Sequence, residues 1–272
     1  MKYKRKNFCH MLGAELYLFT HKRSFWFAFW VMLLFSGGTY LIDVRNNFGI
    51  DISSTLRACD HFVLNYWVEG IPYFSVFFPF LVTFPVAFPS FDEEHAGSCA
   101  YSISRGSRTR RDICRALAAF LSGFLIMCIP LLLNLAWNAT TFEMTANSHE
   151  GMVNSRGYFG KAGYAFEEFY HLHPWLYEIF IILHVGIFAG ICGIFAYSIA
   201  NYIRKYKILV ALPVFLVFFV SQSLHITGYE MDMYLMCPMR EIDFWPMVTV
   251  EIVMFATGTG LLIQNIRTRE LL

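Results

Sequence analysis

The sequence predicts an all-α polytopic membrane protein with six transmembrane helices, an N-terminal amphipathic interfacial helix, and both termini in the cytoplasm. Three observations lead there. Hydrophobic residues make up 57% of the chain and charged residues only 15%, where a soluble domain carries roughly a quarter charged residues. The 29 Phe gather in long uncharged runs, and the mean hydropathy is +0.47. The basic residues also fall mostly on one side of those runs.

A helix needs about 20 apolar residues to cross the hydrocarbon core. Six windows meet that length: about 24–43, 71–91, 113–138, 175–201, 208–227 and 246–266. The third has no charged residue over 116–142, whereas Glu251 interrupts the sixth near one end. The runs are too long and continuous for barrel strands, so helices are the expected spanning form. The first window follows a basic terminus, but it is too long for a signal-peptide core and lacks a small-residue cleavage site. It is therefore expected to stay as a span.

Orientation follows from Lys and Arg. With the N-terminus inside, all but five of the 21 fall on the cytoplasmic side; the exceptions are Arg45, Arg57, Arg156, Lys161 and Arg240. The formal net charge of +1 conceals this sidedness, and no nucleic-acid partner is expected. Trp26, Trp67, Trp137, Trp175 and Trp245 lie at or near window ends, as interfacial anchors do. Trp30 is one turn deeper.

Residues 4–22 place Phe8, Leu12, Leu16 and Phe19 at helical spacing, with Lys4, Lys6, His10 and Glu15 on other faces. This predicts an amphipathic helix lying on the cytoplasmic surface in contact with membrane lipids. Residues 92–115 open with Asp92, Glu93 and Glu94 and close with Arg105, Arg108, Arg110, Arg111 and Arg115. That charge order suits a short helix whose dipole is satisfied at both ends; on charge alone, a basic cytoplasmic loop with ordinary capping is the alternative and the stronger reading. Ser102, Ser104, Gly106 and Ser107 then suggest a break before the third span.

The layout of this loop resembles the ABC-2 type permease subunits of ABC transporters. The family's Glu-x-x-Gly matches Glu94 and Gly97, and its Ser-Arg matches Ser107 and Arg108. Where the family usually has Pro in the turn, this chain has Arg105-Gly106, and Arg115 or its neighbours fall where the family often has Lys. The resemblance extends over the whole chain at the level of layout, as one six-span domain over 1–272 with a coupling loop at 92–112.

The resemblance implies that 92–104 is a coupling helix seated on a separate ABC ATPase subunit, through Asp92, Glu93, Glu94, Gly97, Tyr101, Ser107 and Arg108. It further implies an exporter working with a second permease copy or a homologous permease, in a bacterial plasma membrane. ATP and Mg would be bound by the partner and no cofactor by this chain. The cargo would be a peptide, as in antimicrobial-peptide export or immunity, or a lipid or amphiphile. The chain carries no G-x-x-x-x-G-K-[ST]; Gly160-Lys161-Ala162 lacks the hydroxyl residue. Enzyme activity is accordingly not expected of it.

Pro72, Pro79, Pro85 and Pro89 lie in the second window and Pro130 in the third. Interior prolines bend helices, so Pro79 and Pro85 are hinge candidates, with static kinks as the alternative. Glu178, His184, His225 and Glu251 are the polar groups at membrane depth, where ionisable residues are costly and default to a functional hypothesis. His184 is the deepest. Hydrogen bonds between helices are the expectation for it, in preference to joint haem ligation with His225. Glu178, His225 and Glu251 sit near the outer surface, where reaching water is the alternative.

Cys59 and Cys237 both fall outside, so a disulfide between external loops and two separate thiols remain open. Met231, Met233, Met236 and Met239 supply soft sulfur that would suit Cu(I); apolar packing is the expectation there, with no bound metal. Asn138-Ala-Thr140 matches a glycosylation sequon but abuts a span end. Two rival classes stay in view. One is a polytopic redox or metal-handling protein using His184, His225 or the external Met and His groups. The other is a membrane scaffold that transports nothing.

Overall fold

The computed structural model describes residues 2–50, 58–64, 77–86, 108–144, 169, 172–203, 207–223 and 244–270. Among these, seven α-helices carry the fold: α1 (Lys2–Thr20), α2 (Arg23–Asn46), α3 (Phe77–Val86), α4 (Arg108–Thr141), α5 (Pro174–Ala200), α6 (Leu212–Ser223) and α7 (Phe244–Glu270). A 3-10 turn (Ala58–His61) sits between α2 and α3 in sequence. The chain is a helical membrane protein. Four helices are long and apolar enough to cross a bilayer: α2, α4, α5 and α7. They correspond to the first, third, fourth and sixth windows. The second and fifth windows are described in part, as α3 and as α6 preceded by a 3-10 turn (Lys207–Val210).

Local chemistry explains several of these elements. Pro174 opens α5 and Pro213 lies in the first turn of α6, where a missing N–H costs nothing. Pro130 lies inside α4, so the Ile126 carbonyl loses its helical donor there. Helical hydroxyls fold back onto their own carbonyls: Thr83 donates to Pro79 O at 2.7 Å, Ser198 to Ile194 O at 2.9 Å and Thr257 to Val253 O at 2.8 Å. Such bonds remove polar groups from an apolar setting. The many exposed large side chains, including Trp26, Phe27, Trp30, Leu34, Ile252, Val253 and Ile263, would be anomalous in water and suit hydrocarbon.

Contacts fix the helix directions. Asn134 of α4 donates to Ser36 O of α2 at 2.8 Å, and Tyr40 meets Thr141 at 2.6 Å, so these two helices run parallel. Gly123 lies against Ala189 and Gly193 against Ala119, so α5 runs antiparallel to α4. His184 faces Glu251 and Phe195 faces Gly258, which makes α7 parallel to α5. Val210 packs with Ala200 and the Phe218 ring with Phe188, so α6 opposes α5. The Phe78 ring stacks on Phe188 while Val86 shares a cluster with Tyr197, so α3 follows α5. Helices α2 to α7 therefore alternate in direction along the chain.

The α4–α5 seam is the centre of the bundle. A Cβ at Gly123 would meet Ala189 O at 2.7 Å, and one at Gly193 would meet Ala119 O at 2.7 Å. At Gly186 and Gly190 it would run into Cys128 and Phe120. Only hydrogen fits at these positions, and the two backbones approach closely, the packing mode that suits helices in lipid. Ile126, Met127, Leu131, Ile182, Val185 and Phe188 fill the rest of the seam without exposure.

Candidate functional site

Three polar clusters interrupt this apolar bundle. The first lies at the end of the bundle where α4 begins. On α1, Leu12, Glu15, Leu16 and Phe19 form one face by helical spacing. Phe19 is buried, and Leu12 and Leu16 pack with it against Ala116, Ala118 and Ala119 of α4. Glu15 lies in the same stripe and is buried too. Its Oε1 accepts from Arg111 Nε at 3.3 Å and its Oε2 from Arg115 Nε at 2.9 Å. Arg111 and Arg115 are one helical turn apart on α4, so their guanidinium groups converge on the two oxygens of a single carboxylate. Between them in sequence, Asp112 accepts from Tyr197 Oη of α5 at 3.4 Å.

The structure thus corrects the expectation that Glu15 belongs to a polar, outward face. The amphipathic stripe of α1 is turned toward α4. The physical reason lies in the partner: α4 offers small Ala side chains for the apolar residues and two arginines for the acid. Arg111 and Arg115, four residues apart opposite an amphipathic helix with one acid in its apolar stripe, were the available signal.

The second cluster lies at the opposite end, where the Ala58–His61 turn fits between the ends of α2 and α4. Asn134 Oδ1 accepts from Val63 N at 3.1 Å and from Asn138 Nδ2 at 3.3 Å, and Asn138 Nδ2 also donates to His61 O at 2.9 Å. Ala58 N donates to Glu143 O at 2.9 Å. The His61 ring stacks on Phe142 with centroids 3.8 Å apart, and its Nδ1 lies 3.6 Å from Asp43 Oδ2. Asn138 is fully buried with its amide nitrogen engaged inside the protein, which removes it as a glycan acceptor in this fold. Sequence reasoning missed Asp43, His61 and Asn134. Two asparagines four residues apart in an otherwise apolar span were the signal.

The third cluster lies within the bundle. His184 Nε2 of α5 is 3.4 Å from Glu251 Oε1 of α7, and both side chains are nearly buried. His184 is thus within ion-pair range of an acid on another helix, but Glu251 Oε1 accepts no hydrogen bond, so the interhelical hydrogen bond expected of His184 is not formed at this contact. Glu178 is 1% exposed and Glu251 8%, so neither carboxylate simply reaches solvent as the alternative for them supposed. Among the described residues, no group of three or more His, Cys, Asp or Glu could hold a metal ion. No family model, curated protein or solved structure matches this chain.

Of the other sequence-derived candidates, Arg108 is the first residue of α4, and Pro79 and Pro85 lie within α3. Cys59 is buried in the 3-10 turn. Asp92, Glu93, Glu94, Gly97, Tyr101, Ser107, His225, Met231, Met233, Met236, Cys237 and Met239 lie outside the described residues.

Proposed function

We propose that this chain is the transmembrane permease subunit of an ATP-driven exporter, crossing a bacterial plasma membrane six times with both termini in the cytoplasm. The alternating directions of α2 to α7 support six passes, since each helix undoes the crossing of the one before. Placing Arg23, Arg111, Arg115 and Arg267 at the cytoplasmic face agrees with the bias of basic residues toward that side.

The observation that carries the reading is the Arg111–Glu15–Arg115 clamp. It joins the N-terminal helix to the first turns of α4, the helix that follows directly on the 92–104 segment in sequence. A partner ATPase pushing on that segment would move α4, and the clamp would make α1 move with it as one lever. Tyr197 on Asp112 extends the same rigid unit to α5. Small displacements at a loop become span movements when packed elements shift as bodies. ATP and Mg would remain with the partner, and a second permease copy would complete the route for a peptide or amphiphilic cargo.

Affinity purification of the intact chain in mild detergent tests this. A P-loop ATPase should co-purify in stoichiometric amount, and Glu94→Ala or Gly97→Leu should release it or uncouple its hydrolysis from transport. A chain that purifies alone, and whose membranes carry no ATPase bound through it, would overturn the proposal.

A further inference from the structure

The contact between α5 and α7 places a carboxyl group inside the bundle with a donor missing. Glu251 lies seven residues past Phe244 on α7 and His184 ten past Pro174 on α5, about 10–15 Å along each helix at roughly 1.5 Å per residue. The next residues, Ile252 and Val253, face the outside of the bundle, whereas the Glu251 side chain is turned inward and is 10% exposed. Its Oε1 has no hydrogen-bond partner, although His184 Nε2 is only 3.4 Å away. An imidazolium facing a carboxylate closes to about 2.7–2.9 Å with its N–H aligned. In apolar surroundings only such a bond offsets the loss of water from two charges. The contact has neither feature, which argues against separated charges.

Among the described residues, no other cation stands near the acid. Helices α3 and α6 carry no ionisable side chain. On α4, Cys128 is level with His184, since it meets Gly186, and its thiol donates to Ile182 O at 3.5 Å. Arg115 is thirteen residues nearer the start of α4, about 20 Å from that level. Helix α5 adds Tyr177, Glu178, Cys192 and Tyr197, none of them cationic. On α7 the first basic residue is Arg267, about 24 Å further along. The notch between the ends of α2 and α4 brings His61, whose Nδ1 faces Asp43. The turn that opens with Lys207 packs at Ala200, the far end of α5.

We propose that His184 and Glu251 form a proton-binding site inside the membrane, in which the Glu251 carboxyl keeps a proton and offers it to the neutral His184 ring. The proton turns Oε1 from an acceptor without a donor into a donor, with Nε2 positioned to accept. The hydrogen of the neutral ring then sits on Nδ1. The link between α5 and α7 is uncharged, as hydrocarbon favours. Because the two groups lie on different helices, movement of α7 along α5 takes the proton away from its acceptor. The site uses none of the residues of the clamp, and it stands whether or not the chain is a permease.

Infrared difference spectroscopy of the full-length protein in lipid nanodiscs tests this at about pH 7.5. An ordinary glutamate, with a pKa of about 4.3, is protonated there in only about one molecule in a thousand. The wild type should show a protonated-carboxyl C=O band, above the amide bands, that is lost in Glu251→Gln. The band should persist in His184→Phe but move to higher frequency, because the acid has lost the acceptor of its hydrogen bond. This variant keeps an aromatic ring against Phe180. If Glu251→Gln fails to fold, the shift between wild type and His184→Phe still identifies the band. No band in the wild type, a band that survives Glu251→Gln, or one that His184→Phe leaves unshifted or abolishes would overturn the proposal.

Discussion

The α4–α5 seam and the α1–α4 clamp join helices to the same element by opposite means. Along the seam, Ala119, Gly123, Gly186, Gly190 and Gly193 let two backbones touch with no charge in the contact. At the clamp, a buried carboxylate is divided between two guanidinium groups. The difference follows from the solvent. Inside hydrocarbon there is no hydrophobic drive between helices, so close van der Waals approach does the joining. At the helix end the chain can use charge, because a paired ion there costs less than at the membrane centre. The seam tolerates no extra atom, and the clamp tolerates no missing partner.

Mutations separate these two modes. The largest effect belongs to Glu15→Ala, which takes from Arg111 and Arg115 the buried carboxylate they share. Removing one partner of a buried ion pair costs about 3–5 kcal/mol. The loss should appear as early release of α1, measured by limited proteolysis of the purified protein, and Glu15→Gln should lose less. Unchanged proteolysis would mean that α1 is held by its apolar residues alone.

Next comes Gly193→Ala, whose new methyl would meet the Ala119 carbonyl, a backbone atom that cannot swing away. Overpacking of this kind costs about 1–3 kcal/mol, visible as a lower Tm in detergent. Gly38→Ala is its control: nothing lies within 4 Å of that position, and alanine is favoured over glycine in a helix by up to about 1 kcal/mol. Equal Tm changes for the two variants would dissolve the contrast between seam and periphery. The smallest effect is expected for Tyr40→Phe. It removes only the 2.6 Å bond to Thr141, worth about 0.5–1.5 kcal/mol, and thermal denaturation should resolve it.

How much of this was legible beforehand varied along the chain. The long windows that became α2, α4, α5 and α7 stood out because length and apolar content suffice to define a span. The α1 helix was equally visible from its spacing, but its partner was not. The same stripe of Leu12, Leu16 and Phe19 fits a lipid surface or an alanine-rich helix, and only the buried Glu15 distinguishes them. His184 and Glu251 were each visible as misplaced polar residues, yet they are far apart in sequence and nothing in either window pairs them. The notch was the least legible, because Asp43, His61 and Asn134 belong to three segments and form a cluster only when all three pack together.

The sequence by itself determined which segments are apolar enough to suit a membrane, since that depends on the summed transfer free energy of local residues, and which end of each is basic. Only the tertiary structure decided which polar groups meet. Pairing depends on helix rotation and direction, and those are set by where glycine and alanine let one backbone approach another.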